Sequence, residues 1–265
     1  MPEQSKDPAA GDAHITVRGL TLAYGSSVVL RDVDFTVERG EVFVIMGVNG
    51  SGKSTILKSL TGLLPPVKGQ VYYNGTPFWG GDPALQSRIL RRIGILYQRN
   101  ALWSSMTLAE NIALPLEEYT SLESREIGEI VSFKLSLVGL RDFGRYFPSE
   151  LSGGMQKRAA LARAMALDPE ILFFDEPSSG LDPVNAGLLD DLILDLNESL
   201  KTTIVVISHD LESIFTIADT SIFLDPDEKT VIASGNPKRL LESSRNEKVR
   251  SFLTRGGEDV QAKGF

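Results

Sequence analysis

Between a continuous apolar run, Val42-Phe43-Val44-Ile45-Met46, and a stretch of helical spacing from Lys53 to Leu64 lies Gly47-Val48-Asn49-Gly50-Ser51-Gly52-Lys53-Ser54-Thr55. It matches the pattern G-x-x-x-x-G-K-[ST] in the strand–loop–helix setting that pattern requires. Each residue type has a physical reason. Glycines let backbone N–H groups turn inward around phosphate oxygens, and the helix N-terminus adds the positive end of its dipole. A lysine placed as Lys53 reaches β- and γ-phosphates, and a hydroxyl placed as Ser54 ligates Mg²⁺. The bland reading, a structural glycine turn, accounts for the glycines but not for the lysine and hydroxyl that follow. Val42 to Met46 has the unbroken apolar character of a central parallel strand covered on both faces.

The rest of the chain extends this frame. Short β-type runs from His14 to Val37 predict a small antiparallel sheet, and Asn74-Gly75 after Val71-Tyr72-Tyr73 is a hairpin signal. From about Met106 to Ala166 the pattern turns helical and apolar strand runs disappear. Strand-like runs return at Ile171 to Phe174 and Thr203 to Ile207, then more weakly at Ser221 to Leu224 and Thr230 to Ala233. The expected fold is therefore α/β, with a mainly parallel sheet, an N-terminal antiparallel β subdomain and an inserted helical subdomain. The expected boundaries are a disordered leader over 1–13, one domain over 14–235 with its helical part at about 100–166, and a C-terminal extension over 236–265 with a short helix near Val249 to Leu253.

Two further segments carry chemistry. Ile171-Leu172-Phe173-Phe174-Asp175-Glu176 is an apolar strand ending in two carboxylates. Asp175 suits holding Mg²⁺ and Glu176 suits polarising an attacking water, although acidic residues after a strand are often helix caps. Leu151-Ser152-Gly153-Gly154-Met155-Gln156-Lys157-Arg158 opens a long helical run, a second anion-binding helix N-terminus in a chain with one phosphate loop. The pair makes sense if Ser152, Gly153 and Gly154 cap the γ-phosphate of a nucleotide held by a facing subunit. An ordinary N-capping serine is the alternative.

With these motifs in this order the chain resembles the ABC ATPase family, over roughly Ile15 to Ser234. The resemblance implies that ATP and Mg²⁺ are the cofactors and that two copies face each other. It also implies roles for residues that spacing alone does not fix. Tyr24 matches the aromatic that stacks on adenine, though a core tyrosine is equally open. Gln98 matches the glutamine that contacts Mg²⁺ and senses a transmembrane partner. Asp182, in Ser179-Gly180-Leu181-Asp182, belongs to the loop that crosses the dimer interface, and His209 matches the histidine that contacts the γ-phosphate. His14 is expected to have no role. The signature's fifth residue is Met155 where the family has glutamine.

The wording of Asn100 to Leu116, of Ser149 to Ala164 and of Val249 to Gly256 resembles ATP-binding subunits of bacterial phospholipid transporters that maintain outer-membrane asymmetry. That implies permease subunits, a periplasmic lipid-binding protein of the mammalian-cell-entry type and a small accessory subunit as partners. The expected place is the cytoplasmic face of the inner membrane, reached through the permease. The alternative is an importer of amino acids or metal chelates. Nucleic acid is not an expected ligand, because 35 acidic against 27 basic residues leave a net charge of −8. The local exception, Arg88, Arg91, Arg92 and Arg99, reads as a solvated or salt-bridged face. No apolar stretch approaches the roughly 20 residues of a membrane-spanning helix, and the absence of cysteine fits a reducing compartment.

Overall fold

The computed structural model describes residues 13–262, with side chains to 254. The leader expected over 1–13 lies outside the described residues except for Ala13, which opens the first strand. β1 (Ala13–Tyr24) and β2 (Ser27–Glu38) form an antiparallel pair. Next come β3 (Val42–Met46), α1 (Lys53–Leu60), and the hairpin β4 (Lys68–Tyr73) and β5 (Thr76–Pro77). Strands β2-β1-β4-β5 make one antiparallel sheet.

α2 (Pro83–Leu90) and β6 (Ile93–Leu96) lead into three helices, α3 (Leu108–Tyr119), α4 (Ser124–Leu137) and α5 (Gly153–Ala164). The α/β alternation resumes with β7 (Ile171–Asp175), α6 (Pro183–Leu200), β8 (Thr203–Ser208), α7 (Leu211–Ile217), β9 (Thr220–Asp225) and β10 (Thr230–Gly235). It ends in α8 (Pro237–Ser243) and α9 (Glu247–Ala262). The second sheet runs β10-β9-β3-β8-β7-β6, parallel except for β10 on its edge. The expected α/β class, antiparallel subdomain and helical insertion are all present.

Why the central strands read as unbroken apolar runs is visible in β3. Val42, Val44 and Met46 point into a core shared with the helices, while Phe43 and Ile45 point into a core shared with the antiparallel sheet. Every residue of β3 and β8 is buried. Because β3, β8, β7 and β6 are neighbours and parallel, their C-terminal ends share one edge. That edge receives the segments 47–55, 209, 175–176 and 98, and is where open α/β sheets place ligands.

Two helix readings shift. α1 stops at Leu60, short of Leu64, because Thr61 turns its hydroxyl back to the Leu57 carbonyl at 2.8 Å and Gly62 follows at φ 84°. The C-terminal segment carries two helices and joins the main core: Val249, Phe252 and Leu253 are buried there, with Phe252 edge-on to Phe223 at 5.0 Å. Lys248 ties α9 to the β9–β10 turn through Asp225 at 2.9 Å and Asp227 at 2.8 Å.

Candidate functional site

The loop after β3 leaves no room for a side chain at its first residue. Gly47 sits at φ 155°, and a Cβ there would lie 2.6 Å from the Leu224 carbonyl oxygen and 2.7 Å from Ser51 Oγ. Gly50 and Gly52 take φ 83° and 97°, and Gly52 caps α1 with no side-chain acceptor for its first N–H groups. The loop thus presents a helix N-terminus and the buried, unpartnered Ser51 Oγ, a cradle suited to an anion. Val48 packs on the core cluster that includes Phe252, so α9 backs the loop. Asn49 is exposed, and Thr55 donates its N–H to Gly52 at 3.0 Å.

Lys53 is only 6% exposed. Its Nζ donates to the carbonyls of Gly47 at 2.8 Å and Val48 at 3.1 Å, and stands 3.9 Å from the Glu176 carboxylate. Burial pulls its pKa down, against the pull of Glu176 and Asp175.

β7 delivers the two carboxylates to the same place. Burial and the neighbouring Glu176 charge push the Asp175 pKa up; a hydrogen bond from Ser54 and the charges of Lys53 and Lys157 oppose them. Asp175 Oδ1 is buried and unpartnered. A buried carboxylate oxygen without a donor, next to a serine hydroxyl and a phosphate cradle, fits a hard divalent cation shared with phosphate oxygens. Ser54, Asp175 and Gln98 are the residues that could hold it. Glu176 is buried at φ 50°, a sparsely populated conformation for a glutamate, with its N–H donated to the Ile207 carbonyl at 2.9 Å. Its carboxylate lies 2.8 Å from His209 Nδ1. A carboxylate so oriented by a ring nitrogen, at the mouth of a phosphate cradle, can polarise a water.

Other candidates are placed around this centre. The Gln98 side-chain amide donates to Ser179 Oγ at 3.3 Å, joining the glutamine loop to the segment that follows Glu176. Asp182 caps α6, accepting from Val184 and Asn185 N–H groups at 3.1 Å. Ser152 caps α5 by accepting from Met155 N–H at 3.3 Å, and Gly153 beside it is exposed. Gly154 packs on α6, where a Cβ would stand 2.9 Å from Asn185 Oδ1. Among the described contacts none brings Ser152 to Gly154 onto the Gly47–Thr55 loop of the same chain. Tyr24 is 47% exposed with Lys58 Nζ 5.6 Å from its ring centroid, which removes the core-tyrosine alternative. His14 has structural work, contrary to expectation: buried, with Nδ1 2.6 Å from Thr203 Oγ1, it joins β1 to β8.

Beside the glutamine loop, where the resemblance implies that a permease helix docks, lies a groove of about 700 Å³; buried Lys157 is a further residue of the site to which the sequence assigns no role. Leu90 of α2, Arg91 just after it, Trp103, and Leu114, Pro115 and Tyr119 of α3 line the groove. Trp103 and Tyr119 are more than half exposed. Asn111, fully buried, fixes the groove's rim by donating to the Trp103, Met106 and Thr107 carbonyls and accepting from Trp103 N–H.

A phosphate loop, a carboxylate pair and a histidine set on the edge of one parallel sheet define a nucleoside-triphosphatase. Residues 30–179 match the ABC transporter family. The chain is 42% identical over 96% of its length to the probable ribonucleotide transport ATP-binding protein mkl of Mycobacterium tuberculosis, covering 70% of that protein. It is 41% identical over 90% of its length to the intermembrane phospholipid transport system ATP-binding protein MlaF of Haemophilus influenzae, covering 89% of it. Among solved structures, the dimeric post-hydrolysis state of the cassette MJ0796 bound to ADP and Pi aligns with a TM-score of 0.75 at 30% identity, over 84% of this chain and 98% of that one. The chain belongs to the ABC transporter family, as an ATP-binding, ATP-hydrolysing subunit.

Proposed function

We propose that this subunit powers the movement of phospholipid between inner and outer membranes, through a permease seated in the groove beside the glutamine loop. The observation that carries the reading is the similarity to the phospholipid-system protein along nearly the whole of both chains. The groove supports it: an open apolar surface with exposed aromatics at its rim, joined to Gln98 by a few residues, suits a helix of a partner. No helix among the described residues is long and apolar enough to cross a membrane, so membrane attachment would come through that partner. A periplasmic lipid-binding protein and a small accessory subunit would complete the assembly at the inner membrane.

In this reading two copies face each other and each nucleotide lies between one copy's Gly47–Thr55 loop and the other's Ser152 to Gly154. Tyr24 stacks on adenine and Lys53 meets the β- and γ-phosphates. Ser54, Asp175 and Gln98 would hold Mg²⁺, which when bound neutralises phosphate charge. Glu176, oriented by His209, takes the water's proton, and His209 reaches the γ-phosphate with its remaining ring nitrogen. The Asp182 loop lies at the seam. Closure of the pair moves the permease, so cargo never touches this chain.

A second reading, nucleotide transport, is favoured by the mycobacterial relatives named for ribonucleotides. Co-expression with the neighbouring permease, purification of the complex and mass spectrometry of what it carries separate the two. Bound glycerophospholipid, together with detergent sensitivity on gene deletion, is expected. Loss of ribonucleotide, amino-acid or metal uptake with detergent resistance intact would overturn the lipid assignment.

A further inference from the structure

Lys157 is a charge placed where a structural residue would not need one. It lies on α5, is 4% exposed, and among the described residues has no carboxylate within ion-pair distance. Its Nζ instead donates to two backbone carbonyls, that of Gln98 at 3.0 Å and that of Glu176 at 3.4 Å. The charged groups facing it are Asp175 and Glu176, both from β7 and its exit. Burying an ammonium costs several kcal/mol in general, so packing alone would favour an apolar residue of the same length.

The two carbonyls belong to segments that need holding. Glu176 sits at φ 50°; its N–H donates to the Ile207 carbonyl, and its own carbonyl accepts from Ser179 N–H at 3.2 Å as well as from Lys157 at 3.4 Å, so that Lys157 adds the tie to α5. Two residues after Gln98, Asn100 and Ala101 take φ 62° and 54°, a consecutive pair of left-handed non-glycine residues. Arg163, also on α5, donates to the carbonyls of both. α5 thus holds the glutamine loop with two cations and the exit of β7 with one of them.

We propose that Lys157 is a positioning residue for hydrolysis: its ammonium joins the glutamine loop and the Glu176 backbone to α5, so that Gln98 and the Glu176 carboxylate are set as one unit. It touches neither nucleotide nor water. Its effect falls on turnover, through the placement of groups that act on the γ-phosphate, and not on the phosphate loop that supplies nucleotide affinity.

The test uses the purified full-length chain and the isosteric Lys157→Met. Expected is a fall in kcat of roughly tenfold or more, the scale of losing hydrogen bonds from a charged donor. ATP affinity, measured by fluorescent-nucleotide titration in EDTA, should stay within about twofold. Lys157→Arg, which keeps a donor for each carbonyl, should hold kcat within about threefold of the parent. Hydrogen exchange should accelerate in residues 97–103 of Lys157→Met while the interior of α5 stays protected. A kcat for Lys157→Met within twofold of the parent would overturn the proposal. So would turnover, nucleotide sites and α5 protection all falling together with no rescue by arginine, the mark of a purely structural residue.

Discussion

Replacing Asp190 by asparagine should stabilise the fold at neutral pH and lose most of that advantage in acid. Asp190, on α6, is 4% exposed; one carboxylate oxygen accepts from Ser213 Oγ of α7 at 2.7 Å and the other has no partner. Burial pushes its pKa from 3.8 to about 6; the Ser213 hydrogen bond opposes the shift and the charges of Asp210, Asp191 and Glu212 reinforce it. The folded chain therefore binds this proton more tightly than the unfolded chain. Stability from the group is fully present below the unfolded pKa and is lost as pH rises through about 6. A shift of about two units corresponds to about 3 kcal/mol lost at neutral pH. Asparagine keeps the shape and an acceptor for Ser213 without the charge. The stability of Asp190→Asn relative to the parent, from urea unfolding, should rise by about 2 kcal/mol between about pH 4.5 and pH 7.5. A difference that stays constant across that range would refute the reasoning.

Phe252→Ala should cost about 3–5 kcal/mol, the range for truncating a buried phenylalanine, because Phe252 is buried edge-on to Phe223. Unchanged urea stability would show that α9 is no part of the core. Gly47→Ala should abolish ATP binding in an equilibrium titration, since its Cβ would stand 2.6 Å from the Leu224 carbonyl oxygen; retained affinity would mean the loop tolerates a side chain at its hinge. In tandem-linked dimers, Ser152→Arg and Lys53→Ala in the same half should silence both sites, whereas splitting them between halves should leave one working. The opposite ranking of ATPase rates would contradict a site shared between copies.

How much of this was legible in sequence follows from what each motif encodes. Gly47 to Thr55 and Asp175-Glu176 could be named because local backbone chemistry dictates them, and parallel strand order does the rest by bringing their ends to one edge. α2 has no buried residue and so leaves no core-facing stripe in the sequence, although Asp82, which accepts from Ala84 N–H at 2.9 Å, and Pro83 after it form a standard helix start. α9 reads as polar in sequence because only a narrow stripe, Val249, Phe252 and Leu253, is apolar, and a stripe shows its value only against Phe223. His14 carries no expected role in sequence because nothing nearby hints at Thr203, 189 residues away. Lys157 was invisible for the same reason: its partners lie 59 and 19 residues off and are backbone carbonyls, which leave no side-chain signature.

Glu176→Gln tests the central claim most directly, that Glu176 polarises the attacking water in a site assembled from Lys53, Asp175 and His209. The amide preserves size and His209 contact but cannot take the proton. Steady-state phosphate release should fall below a few per cent of the parent rate, ATP binding should persist, and size-exclusion chromatography with ATP should show a shift to a dimer. Turnover well above that level with ATP binding intact would contradict the assignment and require another residue to activate the water.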